Sequence, residues 1–362
     1  MARAGFMIYG AYGYTGQLIA RRALAHGHRP LLAGRDAAKL AALADELGLP
    51  HVVAPLDDRG ALERALSGVQ IVCHAAGPFV HTAQVMQQAC LASGTSYVDI
   101  TGEIPVFEAL FALDAAAQAA RIAMISGLGF DVVPSDCLAS YVAAGLDEPS
   151  ELQIAFATTG RPSAGTVRAS LEGVLRGNFV RRAGELTRVS FGHAMREVPF
   201  RGGTRMGLPI PWGDLSTAFR TTGIPNITTY IAVPRAAARL LGASPPLLHR
   251  LGRALERGFE RPFMRAALMA AVDACVADPS PRDREQGGAQ LWARAVNARG
   301  DSREAWLDTP DGYAFTAEAV VLGLERLLHS PVFGALTPAL AFGADFVLAV
   351  SGTRRYESPR SS

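Results

Sequence analysis

The stretch GAYGYTGQL, residues 10–18, decides the fold because its three glycines lie between a short apolar run and a helix-like segment. In such a unit Gly10 makes a tight turn, Gly13 lets the backbone approach a pyrophosphate, and Gly16 allows the helix to pack closely on the strand. The helix that follows presents unpaired N–H groups and the positive end of its dipole to the phosphates. The motif therefore predicts a dinucleotide-binding turn.

The sequence around this turn, to about residue 130, alternates short apolar runs with helix-like stretches. Six predicted strands are separated by helices, and parallel neighbours need such crossover connections. The predicted fold class is therefore α/β, with a Rossmann doubly wound parallel sheet in residues 1–130.

The pattern changes after Pro149, where strands, helices and loops rich in glycine and proline are mixed. Residues 131–311 are therefore predicted to form a second, α+β domain that carries the substrate or dimerisation surface. Its predicted elements are strands at 151–160, 186–192 and 226–233, helices at 163–177 and 235–270, and a hairpin of 289–300 with 302–310 that turns at Gly300 and Asp301. An amphipathic helix at 313–328 follows.

The end of the second strand, LLAGRD at 31–36, indicates which dinucleotide is bound. An acid at this position binds the ribose 2′-hydroxyl, whereas an arginine suits a 2′-phosphate. Arg35 has a planar guanidinium that matches phosphate geometry, and an ordinary exposed turn residue is the alternative interpretation. Asp36 directly precedes AAKLAAL and is interpreted as a helix N-cap. The predicted cofactor is NADP(H).

The small residues of CHAAGPF, at 73–79, allow the chain to pass close to the cofactor. In an open sheet the ligand lies outside the carboxyl ends of the strands, so this loop should converge with DITGE at 99–103 and GLGFDVVPSD at 127–136. The predicted cofactor-binding residues are Gly10, Tyr12, Gly13, Tyr14, Thr15, Gly16, Gly34, Arg35, Asp57, Ala76, Gly77, Pro78 and Phe79.

Hydride transfer needs a proton source, and the predicted crevice supplies several acidic and phenolic side chains. The predicted catalytic residues are Asp131, Glu103, Asp99 and Tyr12, with Tyr14 and Asp136 as further candidates. Each has a structural alternative: Asp136 caps a helix, Glu103 caps the helix that begins near Pro105, and Tyr12 only covers the cofactor. A tyrosine–lysine pair with a spacing of four residues is excluded, because Lys39 is the only lysine and Arg35 precedes it by four.

Composition excludes several function classes. The 35 basic and 33 acidic side chains are interspersed, so no charged field for nucleic acid exists. The histidines show no metal-ligand spacing, and no metal site is predicted. The four cysteines form no CxxC pair, which is typical of a reduced, cytoplasmic protein. Cys137 begins a helix, where a lowered-pKa nucleophile is the alternative, but its apolar surroundings favour a core thiol.

The apolar stretch PVFGALTPALAFGADFVLAV, residues 331–350, is long enough to span a bilayer. Pro338, several glycines and Asp345 interrupt it. A buried helix or helix pair is therefore predicted, and contact with a membrane surface is the alternative.

Five motifs resemble the saccharopine dehydrogenase-like oxidoreductase family, particularly its trans-acting enoyl reductase branch. In chain order they are GAYGYTG (10–16), AGRD (33–36), AAGPF (75–79), YVDITGE (97–103) and GFDVVPSD (129–136). The resemblance implies a Rossmann domain, an inserted α+β domain with a mixed sheet, and C-terminal helices from about 312–350 that pack back on the first domain. It also implies NADP(H)-linked reduction and a homodimer.

On this resemblance, the chain is expected to be an NADP-dependent oxidoreductase that reduces an enoyl C=C bond of an apolar acyl or polyketide-type small molecule. One alternative is an imine or amino acid dehydrogenase, which reduces a C=N bond and needs an arginine such as Arg168 or Arg176 for a carboxylate. Another alternative is a protein that binds NADP without turnover and contacts a partner or a lipid surface through its apolar C-terminal segments.

Overall fold

The structure is a computed structural model that describes residues 4–358 except 161, 164, 168–176, 191–192, 235–269 and 272–274. The chain divides into two units, residues 1–133 with 312–351 and residues 134–311 with 352–362. Arg168 and Arg176, and most of the helices predicted at 163–177 and 235–270, lie outside the described residues.

The elements are numbered in chain order. The strands are β1 (Ala4–Tyr9), β2 (Leu31–Gly34), β3 (His51–Val53), β4 (Val69–His74), β5 (Ser96–Asp99), β6 (Ala123–Ile125), β7 (Pro149–Thr158), β8 (Asn178–Arg182), β9 (Glu185–Val189), β10 (Arg196–Phe200), β11 (Gly203–Pro209), β12 (Asn226–Val233), β13 (Gly288–Asn297), β14 (Ser302–Pro310), β15 (Gly334–Leu336) and β16 (Arg354–Tyr356). The helices are α1 (Tyr14–Ala25), α2 (Ala37–Leu47), α3 (Arg59–Ser67), α4 (Phe79–Ser93), α5 (Ile104–Phe111), α6 (Asp114–Ala120), α7 (Val133–Ala144), α8 (Asp214–Thr222), α9 (Pro281–Gln286), α10 (Gly312–His329) and α11 (Pro338–Phe342), with a 3₁₀ turn at Phe346–Ala349.

The first unit contains a seven-stranded sheet in the order β3-β2-β1-β4-β5-β6-β15. All of its pairings are parallel. Phe6, Met7, Ile8 and Tyr9 of β1 are all buried, as expected for a parallel strand covered by helices on both faces. The strand order reverses between β1 and β4, and ligands bind at this switch point in such sheets. The predicted α/β doubly wound class is confirmed.

The seventh strand corrects the interpretation of residues 331–350. The predicted helix or helix pair is found only in part: the segment begins with strand β15, and its helical elements are limited to the short helix α11 and a 3₁₀ turn. Gly334 has φ +109°, which breaks a helix before it begins, and the side chain of Asp114 accepts a 2.9 Å hydrogen bond from the Ala335 N–H. Among the described residues, no helix combines the length and the apolar character needed to cross a membrane.

The second unit contains a nine-stranded mixed sheet, whose main path is β10-β11-β12-β7-β13-β14-β16. Strands β7 and β12 pair in parallel and the other pairings are antiparallel, so the expected mixed sheet is confirmed. Trp292, Trp306 and Tyr230 fill one core of this unit. The β13–β14 hairpin turns through Gly300, which has φ +87°.

Helix α10 belongs to the first unit, where it packs against α1. Arg22 of α1 donates a hydrogen bond to Glu318 of α10. The Thr316 hydroxyl accepts a 3.0 Å hydrogen bond from the Phe130 N–H, so α10 also holds the loop that follows β6. That loop carries Asp131.

Candidate active site

The glycine turn is shaped by close backbone approach. Gly10 has φ +81°, and a Cβ there would lie 2.8 Å from Ala76 Cβ. A Cβ on Gly16 would lie 2.9 Å from the Ala11 carbonyl oxygen, and the Gly13 N–H donates a 3.0 Å hydrogen bond to the Gly10 oxygen. Larger residues at Gly10 or Gly16 would displace the turn or the loop that follows β4.

Helix α1 begins immediately after this turn, at Tyr14. Its N-cap is Gly13, which supplies no side-chain hydrogen bond, and its first turn contains no acidic residue. The first N–H groups of a helix have no partner within the helix, and the dipole favours an anion there. An uncapped helix start beside a glycine cradle therefore fits a pyrophosphate, with Thr15 in the first helical turn.

The end of β2 carries the residues predicted to contact adenosine. A Cβ on Gly34 would lie 2.6 Å from the Tyr12 ring, so the ring covers this glycine. Arg35 is exposed, and within the described part of the chain its guanidinium forms no hydrogen bond or ion pair. The side chain of Asp36 accepts a 3.1 Å hydrogen bond from the Lys39 N–H, which confirms that it caps α2.

Tyr12, Arg35 and Asp57 all interact electrostatically with the buried phenol of Tyr9. Tyr9 donates a 2.9 Å hydrogen bond to the Ala54 carbonyl, and burial, together with its electrostatic interaction with Tyr12, raises the pKa of Tyr9 to about 12. Arg35 lowers that pKa and Asp57 raises it, so both act within electrostatic reach of the same hydroxyl. Tyr12, Arg35 and Asp57 follow β1, β2 and β3 in turn, at the strand ends where the adenosine half of a dinucleotide binds.

The loop after β4 packs on the glycine turn. The Ala75 N–H donates a 2.8 Å hydrogen bond to the Tyr9 carbonyl, and Ala76 touches Gly10 as described above. The peptide bond between Gly77 and Pro78 is cis, and α4 begins directly afterwards at Phe79. The first residues of AAGPF thus lie beside the glycine turn.

Glu103 has a different partner from the one expected. It occupies the N-cap position of α5, but its side chain makes no capping bond to that helix. The carboxylate instead accepts hydrogen bonds from the Phe79 N–H at 2.8 Å and the Val80 N–H at 3.1 Å. Glu103 is therefore the N-cap residue of α5 as expected, but its side chain caps α4 and ties the loop after β5 to the loop after β4.

Asp99 is fully buried at the end of β5, where four donors surround its carboxylate. The hydroxyls of Tyr97 and Ser126 donate at 2.6 and 2.8 Å. The N–H groups of Thr101 and Gly127 donate at 3.0 and 2.8 Å. Burial raises the pKa of Asp99, and these hydrogen bonds oppose the rise. This geometry is that of a brace between β5 and β6.

Asp131 is a half-buried carboxylate that follows β6. Burial raises the pKa of Asp131 to about 6. A Cβ on Gly102 would lie 3.0 Å from its Oδ2 atom, so the carboxyl group lies against the loop after β5. A carboxyl with a pKa near neutrality can hold a proton at the pH where an enzyme works.

The structure therefore separates the four predicted catalytic residues. Asp99, Glu103 and Asp131 belong to the loops at the ends of β5 and β6, whereas Tyr12 lies over the end of β2, on the other side of the point where the strand order reverses. Of the further candidates, the Tyr14 ring lies edge-on to Tyr313 with centroids 5.1 Å apart. Asp136 belongs to the second unit.

The structure also bears on the alternative roles of Asp136 and Cys137, which both lie in α7. Asp136 is buried and accepts a 2.6 Å hydrogen bond from the Thr221 hydroxyl, which gives it a structural partner. Cys137 is buried, consistent with a core thiol. Among the residues that the structure describes, no three His, Cys, Asp or Glu side chains are placed to hold a metal ion.

We expect Glu103→Gln to lower the midpoint of thermal unfolding by about 2–4 °C, because a carboxylate bond to a helix N-terminus contributes about 1 kcal/mol or more. Glu108→Gln, an exposed change on α5, is the matched control. Calorimetry of the two variants measures the difference. Equal midpoints for both variants would contradict the capping role.

The family of the first domain follows from its sequence. Residues 6–125 match the family model described as the saccharopine dehydrogenase NADP binding domain. This domain belongs to the saccharopine dehydrogenase NADP-binding family. The predicted nicotinamide dinucleotide cofactor is thereby confirmed, and the glycine cradle and uncapped α1 of this saccharopine dehydrogenase-type domain fit it.

Relatives are found among mycobacterial trans-acting enoyl reductases. Those of Mycobacterium ulcerans and Mycobacterium leprae are 34% identical over 142 residues and 36% identical over 140 residues, each match covering 36% of this chain and 33% of the relative. A Mycobacterium tuberculosis relative is 33% identical over 183 residues, which cover 46% of this chain and 43% of that protein. The chain thus spans less than half the length of these relatives.

A solved structure shows the same overall fold. The apo saccharopine dehydrogenase (L-Glu forming) of Saccharomyces cerevisiae aligns with a TM-score of 0.63 over 97% of this chain and 99% of its own, at 13% identity. At this identity the likeness concerns the fold alone.

Proposed function

We propose that this protein is an NADPH-dependent reductase of an enoyl C=C bond in an apolar acyl or polyketide-type small molecule. Asp131 carries the proposal, because burial places its pKa near neutrality at the end of β6, on the side of the switch point away from Arg35. The relatives named trans-acting enoyl reductase support this choice of bond.

The residues divide into those that bind the cofactor and one that holds a proton. Bound NADPH supplies the hydride of such a reduction. The glycine turn and the start of α1 would bind the pyrophosphate, and Arg35 would bind the 2′-phosphate. Saturation of the double bond would also require one proton at the α-carbon. Asp131 holds that proton.

The braces around Asp131 keep the crevice in shape. Asp99 joins the ends of β5 and β6, and Glu103 joins the loop after β5 to α4. Preorganised loops hold a donor in place without reorganisation during the reaction. Asp99 and Glu103 therefore act as supports in this mechanism, and Tyr12 covers the adenosine half of the cofactor.

The test is NADPH consumption by the purified protein with a medium-chain trans-2-enoyl thioester. We expect NADPH absorbance to fall and the product mass to rise by two hydrogens, with no consumption for the saturated thioester. A cyclic imine is the second substrate in the same assay. Consumption with the imine alone would favour the C=N alternative, and NADPH binding without any consumption would favour a non-catalytic role. The homodimer and the cytoplasmic location stay predictions.

A further inference from the structure

His74 is a buried histidine at the end of β4 that the mechanism above does not use. Its ring is fully buried, with centroid distances of 5.5 Å to Tyr9, 5.5 Å to Phe79 and 6.2 Å to Tyr97. Burial lowers the pKa of His74 to about 3, so the ring is neutral at neutral pH. One of its nitrogens therefore donates and the other accepts.

The hydrogen bonds of Thr82 decide which nitrogen donates. The Thr82 hydroxyl lies 2.8 Å from the Ala76 carbonyl oxygen and 3.3 Å from that of Pro78, and a carbonyl can only accept. The single hydroxyl proton is thus committed to these oxygens. His74 Nε2, 2.9 Å from the same hydroxyl, must donate to it. The resulting chain runs from His74 Nε2–H through Thr82 to the Ala76 carbonyl.

The second ring nitrogen of His74, Nδ1, makes this arrangement energetically unfavourable. Nδ1 is buried and has no hydrogen-bond partner among the described residues. Leaving a buried acceptor unpaired costs free energy, and a leucine of similar size would avoid that cost. A histidine at this position is thus unfavourable for packing alone.

Ala76, the last residue of this hydrogen-bond chain, is also the residue that contacts the glycine turn. Ala76 Cβ and the Ala76 nitrogen lie 2.8 and 2.9 Å from where a Gly10 Cβ would be. The loop of residues 75–78 follows β4, on the opposite side of the switch point from Arg35. The pyrophosphate binds at the turn and the adenosine at the end of β2, so this loop faces the nicotinamide half.

We propose that His74 is a positioning residue that fixes loop 75–78 through Thr82 and so sets the affinity for the nicotinamide half of the dinucleotide. The proposal rests on the dinucleotide site proposed above. It predicts that disrupting the chain weakens binding of the whole cofactor but not of its adenosine half.

The test compares two ligands and two pairs of variants. The ligands are NADPH and adenosine 2′,5′-bisphosphate, which carries only the phosphorylated adenosine half. His74→Leu and Thr82→Val break the chain, whereas His74→Gln keeps a donor near the Nε2 position and Thr82→Ser keeps the hydroxyl. Kd values are measured by NADPH fluorescence and by titration calorimetry on the full chain.

We expect His74→Leu and Thr82→Val each to raise the Kd for NADPH about fivefold, the factor that the net free energy of one hydrogen bond gives. The Kd for adenosine 2′,5′-bisphosphate stays at the wild-type value. His74→Gln and Thr82→Ser, which keep the hydrogen bonds, should have a Kd for NADPH within about twofold of the wild-type value. The double variant His74→Leu/Thr82→Val binds like either single variant, because both changes break one chain.

Three results would overturn the proposal: an unchanged NADPH Kd in both disrupting variants, an equal loss for both ligands, or no rescue by His74→Gln. If His74→Leu does not fold, the half-buried Thr82 pair tests the same chain. Wild-type protein that binds neither ligand would instead overturn the proposed function, so the two failures are distinguishable.

Discussion

Replacing Arg35 by alanine is expected to raise the Kd for NADPH about 10- to 100-fold and to leave the Kd for NADH unchanged. A hydrogen bond to a charged group contributes about 1.5–3 kcal/mol, and this range corresponds to that loss of affinity. Arg35 is exposed and forms no hydrogen bond or ion pair within the described residues. The alanine variant therefore loses no such stabilising interaction of the folded protein. Fluorescence titration with both nucleotides gives the two constants.

Two variants sharpen this measurement. Arg35→Lys keeps the charge but loses the planar fork, so its NADPH affinity should lie between those of the wild type and the alanine variant. Arg64→Ala removes another exposed arginine, on α3, and should change neither constant. If Arg35→Ala weakens NADPH and NADH by the same factor, the arginine does not bind the 2′-phosphate.

Asp131→Asn is expected to lower kcat by about 100-fold or more, because general acids contribute about 10²- to 10⁴-fold to rates. The Kd for NADPH should stay unchanged, since the carboxyl group lies near β5 and β6 rather than at the glycine turn. The assay uses whichever substrate consumes NADPH in the screen described above. A variant that keeps kcat within about threefold of the wild type would exclude Asp131 as the general acid.

The pH dependence gives a second readout for Asp131. The donor must be protonated and its pKa is about 6, so the wild-type kcat should fall about tenfold per pH unit above pH 6. Glu103→Gln should keep this profile, whereas the residual rate of Asp131→Asn should not follow it. A wild-type rate that is flat between pH 6 and 8, roughly the range in which this carboxyl loses its proton, would contradict the assignment.

The same raised pKa affects stability. Asp131 titrates near 6 in the folded protein and near 3.9 when unfolded, so the folded state binds more protons between these values. Its favourable contribution to the free energy of unfolding is complete below about pH 4 and is lost as the pH rises through about 6. Thermal unfolding at pH 8 should therefore show Asp131→Asn to be at least as stable as the wild type, which separates loss of catalysis from loss of fold.

The sequence predicted those features that depend on local spacing. The glycine turn, the six strands and the Asp36 cap all follow from residues close together in the chain, and the structure confirms them. Strand β15 was not predicted, because a strand buried in a sheet has the same apolar pattern as a buried helix. Its alignment beside β6 is decided by tertiary pairing.

The bonding partners of the acidic residues could not be predicted from the sequence either. Glu103 bonds N–H groups 23 and 24 residues earlier, and Asp99 bonds Ser126 and Gly127 on the neighbouring strand. The sequence likewise predicts no role for His74, and its only signal there is the place of this histidine at a strand end just before AAGP. Only the folded geometry shows that its neighbour Thr82 has committed its proton to Ala76.

Strand β15 also has a consequence for the order of synthesis. The sheet that binds the dinucleotide is completed by residues 334–336, which follow β6 only after the second unit has been inserted in the chain, and α10 supplies Thr316 to the loop that carries Asp131. A nascent chain that has emerged only as far as β6 therefore presents that strand as an open edge, a site of wrong pairing. The sheet of this domain can therefore be completed only after residues 134–311 of the second unit have left the ribosome.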